Sequence, residues 1–154
     1  MIEGFEQLTN EEFGTLRDAL PLIAALIGGA DGNFDAKEKR WAKKFANIYT
    51  YSKGDPLNDF FEKSADHFAE KANAIYNQYP NTDNRNTYIT EELAKLNDTF
   101  PKLDSAIAYK LYVTFLDFAD EIAKASGGFL RMGGISPNEA ALIELPMINP
   151  ITMD

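Results

Sequence analysis

Hydrophobic positions along the chain recur at helical spacing almost throughout, and turn residues punctuate them at regular intervals. Thr9-Asn10-Glu11-Glu12 has the form of a capping box, in which a threonine oxygen accepts from the third helical amide and the glutamate reaches back. Phe13, Leu16, Leu20, Ile23 and Ile27 then follow on one face. Pro21 lies inside this segment and predicts a kink or a split, because its ring removes a donor and clashes with the preceding turn. Gly28-Gly29-Ala30-Asp31-Gly32 ends the segment. Asp35-Ala36-Lys37-Glu38 is a second capping box, and Trp41, Phe45 and Ile48 form the apolar stripe behind it.

After the turn Gly54-Asp55-Pro56, the residues Leu57, Phe60, Phe61, Phe68, Ala72, Ile75 and Tyr79 predict a long amphipathic helix ending before Pro80. The polar stretch Asn81 to Thr87 reads as a loop. Ile89, Leu93, Leu96 and Phe100 mark a shorter helix. Pro101 is placed to begin the next one, with Leu103, Ile107, Leu111, Phe115, Phe118 and Ile122 along one side. Its broadly apolar surface predicts the centre of the bundle. Ser136-Pro137-Asn138-Glu139 opens a last short helix, and the tail from Pro146 reads as irregular. No stretch alternates with period two long enough for a strand. The expectation is an all-α, compact bundle of about six or seven helices, forming a single domain over residues 1–154.

Composition narrows the chemistry. Fifteen Lys and Arg against 24 Asp and Glu give a net charge of −9, which argues against a nucleic-acid function and fits a cation or a basic partner. The absence of cysteine removes disulfides, thiolate catalysis and sulfur-ligated metal sites. The lone histidine, His67, has no second histidine or cysteine to complete a nitrogen-rich site or a triad, and is expected at the edge of the buried stripe. The N-terminal residues are acidic where a secretory signal is basic, and the apolar run Ala19 to Ala30 is too short to span a bilayer, which takes ~20 residues. A cytoplasmic protein is therefore expected.

One pattern occurs twice. Ile23 to Glu38 is a helix ending in small residues, a glycine turn, one apolar residue and a capping box; Ile122 to Gly128 followed by Ile135 to Glu139 repeats it with extra residues between. Phe34 corresponds to Ile135, Asp35 to Ser136 and Glu38 to Glu139. Two related helix–turn–helix units are expected, packed with approximate two-fold symmetry.

The run Asp31-Gly32-Asn33-Phe34-Asp35-Ala36-Lys37-Glu38 after an alanine-rich helix resembles the TerB-like family of tellurite-resistance proteins, whose pattern also occurs twice in an all-helical domain. The second copy departs from that pattern at Ser126, where the aspartate would stand. The resemblance implies a small cytoplasmic bacterial helical domain linked to tellurite and chemical-stress resistance, with acidic clusters that bind divalent metal, often as part of a larger membrane-linked assembly. Asp31, Asp35 and Glu38, with Glu139 from the second unit, are the candidate ligands for a hard ion such as Ca²⁺ or Mg²⁺. The competing structural reading assigns Asp35 and Glu38 to helix capping, Gly32 to a left-handed turn and Asp31 to an Asx turn. An EF-hand is excluded, because Ala36 and Ala42 stand where its glycine and final glutamate belong.

Three further features invite a functional reading. The basic face Lys37, Lys39, Arg40, Lys43 and Lys44 is a docking surface for an anionic partner or a solvated helix face, with N-terminal acids such as Glu12 as pairing candidates. Asp117, Asp120 and Glu121 share one helical face as extra ligands or as a solvated stripe. Gly127-Gly128-Phe129-Leu130-Arg131-Met132-Gly133-Gly134 is either a partner-binding segment or a loop folded onto the core. The leading expectation is a non-enzymatic module binding a divalent cation, a protein partner or both, with homo-oligomerisation open and no bilayer span. A metal-free interaction scaffold is the alternative, and a metal-assisted hydrolase is the weaker third.

Overall fold

A computed structural model of the chain describes residues 4–28, 56–126 and 142–152. Every regular element among them is helical, and none is a strand. Helix α1 spans Asn10–Arg17 and opens as the sequence predicts: Thr9 Oγ1 accepts from Glu12 N–H at 3.1 Å, and Glu12 Oε1 accepts from Thr9 N–H at 2.9 Å.

Pro21 splits the first helical segment, but the break falls earlier, at Asp18. Helix α2 runs Ala19–Gly28 with Pro21 in its first turn, where a missing N–H costs least. In an unbroken helix the Arg17 carbonyl would accept from residue 21, which as proline has nothing to donate. The buried hydroxyl of Ser64 donates to that carbonyl instead, at 2.8 Å.

Ser64 belongs to α3, Pro56–Gln78, whose inward stripe is Phe60, Phe61, Ser64, Ala65, Phe68, Ala72 and Ile75. Phe60 stacks on Phe5 with centroids 5.2 Å apart and planes 2° apart, and Phe13 meets both rings edge-on. The Tyr76 hydroxyl donates to the Ala25 carbonyl at 3.3 Å, tying α3 to α2.

The expected loop at Asn81–Thr87 is instead the start of helix α4, Thr82–Ala94. Asn81 is its N-cap, with Oδ1 accepting from Asn84 N–H at 3.0 Å. The buried positions of α4 are Arg85, Ile89 and Leu93, four residues apart. A short helix α5, Leu96–Thr99, and a 3-10 turn, Phe100–Lys102, follow. Pro101 sits in that turn and does not begin the next helix. Asp104 does so: its side chain accepts from Ala106 N–H at 3.1 Å and its carbonyl from Ala108 N–H at 2.9 Å, launching α6, Ser105–Ser126.

Among the described residues, α2 and not α6 is the most fully buried helix. All nine residues from Ala19 to Ile27 are buried, and the helix packs against α3, α4 and α6. α6 buries Leu111, Phe115, Phe118 and Ile122 as expected, yet keeps Lys110 and Asp117 exposed. The difference is charge: α2 has none along its length, so no face of it gains by meeting water.

The tail is irregular, as predicted, but firmly held. Leu145 and Ile148 are buried in the same cluster as the helices. Between them and the last residues, Asn97 grips the backbone with both ends of its amide: Nδ2 donates to Met147 C=O at 3.0 Å, and Oδ1 accepts from Asn149 N–H at 2.7 Å. No helix among the described residues is long and apolar enough to cross a membrane. The second helix, opened by Asp35, and most of the last short helix lie outside the described residues, so the total of six or seven rests partly on segments beyond them.

Candidate functional site

Asp31, Asp35, Glu38 and Glu139 lie outside the described residues, as do the basic face from Lys37 to Lys44 and the glycine-flanked segment 127–134. What the structure does place are the helices leading into them. α2, which precedes the first acidic turn, ends at Gly28; α6, which precedes the second, ends at Ser126. These two helices pack directly against each other. Ile23 in the first copy of the repeated pattern and Ile122 in the second are both buried.

On α6, Asp117 is exposed, while Asp120 and Glu121 are half-buried and so not a fully solvated stripe. Among the described residues no group of three or more His, Cys, Asp and Glu side chains is placed to hold a metal ion. These acids therefore do not make a site among themselves.

His67 is exposed on α3 and is not tucked into the apolar stripe. It lines a small cleft of about 150 Å³ with Asp18, Glu70 and Lys71. The Asp18 carboxylate is already engaged, by Arg17 Nε at 3.2 Å and by Lys71 Nζ at 3.9 Å.

The basic face offered as a partner for the N-terminal acids lies outside the described residues; among those described, one first-turn acid of α1 has a cation beside it. Glu12 pairs with Lys102 of the 3-10 turn, at 2.8 Å, while still serving the Thr9 cap. The Lys102 ammonium donates to the Glu12 carboxylate, and the Thr9 amide adds a second donor; together they hold its pKa below the ordinary glutamate value. Lys95 is pushed the other way, because the Glu92 carboxylate 2.6 Å away stabilises its charged form.

Arg85 is the residue that sequence reasoning missed. It is 1% exposed, with its guanidinium 4.2 Å above the Tyr76 ring. Nη1 donates to the carbonyls of Tyr79 and Pro80 at 3.2 and 3.4 Å, and Nη2 to Thr82 Oγ1 at 3.3 Å. A buried cation is costly unless hydrogen-bonded, and the Nη1 and Nη2 bonds here tie the end of α3 to the start of α4. Stepping back four residues from Ile89 along the stripe lands on Arg85, which is the sequence signal that could have revealed it.

Among the described residues, the site geometry thus amounts to the packing of the two helices that precede the two copies of the pattern. No protein-family model, no curated protein and no solved structure matches this chain.

Proposed function

We propose that the protein is a non-enzymatic, TerB-like helical module in which the two repeated turns bind a divalent cation, Ca²⁺ or Mg²⁺, a protein partner or both, in a bacterial chemical-stress response. Asp31, Asp35 and Glu38 are the ligands from the first turn, and Glu139 is the contribution of the second. Hard cations take carboxylate and carbonyl oxygens, which these turns offer at short spacing.

The observation that carries this reading is the direct packing of α2 on α6, the helices that feed the two copies of the pattern. A single cation shared by both turns requires the helices in front of them to be neighbours. The stress-response role rests on the resemblance of residues 31–38 to the TerB-like pattern.

The test is the melting temperature of chelator-treated protein titrated with Ca²⁺ and with Mg²⁺. A ligand that binds only the folded state raises it with concentration. A saturable rise that Asp31→Ala abolishes and Glu139→Gln weakens supports the shared site. No shift with either ion leaves the turns as helix caps and the chain as a metal-free interaction scaffold.

A further inference from the structure

One cavity among the described residues is lined by apolar and uncharged polar side chains, a different chemistry from that of the acidic motif. It is a partly open cleft of about 350 Å³ between the 3-10 turn, the first turn of α6 and the C-terminal strap. Phe100, Pro101, Leu103, Ala108, Pro150 and Ile151 supply its apolar lining. Two exposed polar residues, Ser105 and Asn149, complete it.

We infer that this pocket binds a small, uncharged, ring-sized molecule with one polar arm. The inference is independent of the acidic turns. Its volume falls at the lower end of ligand pockets, roughly 300–1,000 Å³, and well above the ~150 Å³ void that suffices for benzene. Among the described residues that line it none is charged, in a chain where one residue in four is. A charged ligand there would lose water without gaining a counter-charge, and an anion would also meet the protein's net −9. The ligand is therefore neutral, with its ring against Phe100 and Leu103 and its arm toward Ser105.

The walls are set before any ligand arrives. On the strap side, Leu145 and Ile148 are buried and Asn97 fixes the backbone at Met147 and Asn149 through both ends of its amide. That use of Asn97 also removes its polar atoms from competition for the ligand. A pocket held in this way loses little freedom on binding.

The probe is 4-fluorobenzyl alcohol, followed by fluorine line broadening against the intact protein, beside 4-fluorobenzoate and 4-fluorobenzylamine. The neutral probe is expected to saturate, with both charged analogues at least about tenfold weaker. Ser105→Tyr at the exposed rim and Ala108→Leu on the floor each place a larger side chain in the space and abolish binding. Should Ala108→Leu fail to fold, Ser105→Tyr decides alone, since that position is exposed and unconstrained by the core. No saturable broadening by the alcohol overturns the inference. So does equal affinity for the charged analogues, or undiminished binding to a folded Ser105→Tyr.

Discussion

The hydroxyl of Ser64 donates to the carbonyl of Arg17 at 2.8 Å, across 47 residues of sequence. It answers a defect that Pro21 creates, because proline cannot supply the amide that this carbonyl would meet in a continuous helix. The α1–α2 break and the α3 stripe are thus one structural unit. Ser64→Ala leaves the carbonyl without its donor and is expected to cost about 1–3 kcal/mol. Pro21→Ala restores a backbone donor four residues on, so the loss from Ser64→Ala should be smaller in that background. Urea unfolding of the two single variants and the double variant measures the coupling; strict additivity would contradict this account of the break.

Gly4 is expected to resist substitution. Its φ is +91°, a region that side-chain-bearing residues rarely adopt, and an added Cβ would fall 2.6 Å from Ile107 Cδ1. Gly4→Ala should cost about 1–3 kcal/mol, from backbone strain and from displacement of Ile107. Adding Ile107→Val removes the clash and not the strain, so thermal unfolding of the double variant should recover only part of the loss.

The Glu12–Lys102 pair gives stability a signed dependence on pH. Glu12 is lowered below 4.5 in the folded protein, so its contribution is fully present above that ordinary value and is lost as pH falls through the lowered folded value. Lys102→Met removes the largest cause. The melting-temperature gap between wild type and this variant should be constant near neutrality and narrow progressively in acid below the ordinary value. Added salt should shrink the gap at neutral pH, since the pair is near the surface. A gap that widened in acid would contradict the assignment.

Asn97 is expected to control the C-terminal strap with little effect elsewhere. Asn97→Asp keeps the acceptor for Asn149 N–H but faces Met147 C=O with an oxygen in place of a donor. Hydrogen exchange at the Asn149 amide should remain slow in Asn97→Asp at least relative to Asn97→Ala, which loses both bonds. Amide exchange in α2 should be unchanged in both.

Much of this fold is written in local pattern. The Thr9–Glu12 box, the α3 stripe from Phe60 to Ile75 and the α6 stripe from Leu111 to Ile122 all form as their spacing predicts. Where pattern misleads, long-range compensation is the reason. Residues 81–87 look like a loop because their polar side chains suit water, yet Asn81 caps a helix and Arg85 finds carbonyls and a tyrosine ring to satisfy it indoors. Pro101 looks like a helix start, but the cap that matters is Asp104. α2 reads as one face of an amphipathic segment and is in fact buried all round, since its neighbours come from parts of the chain far from it. Of the candidate site, the helices entering both turns are placed, while Asp31, Asp35, Glu38 and Glu139 lie outside the described residues.

The distance between the two repeated turns decides whether they can meet over one cation, as proposed. The chain has no cysteine, so Lys37→Cys and Asn138→Cys introduce the sole attachment points for a pair of spin labels, at equivalent positions of the two capping boxes. Ligand oxygens lie about 2.3–2.6 Å from Ca²⁺, which places the two turns roughly 15 Å apart or less when they share an ion. Dipolar electron paramagnetic resonance should therefore give a short separation that narrows in distribution on adding Ca²⁺. A separation of about 30 Å, the diameter of a small domain, unchanged by the cation, would contradict the shared site.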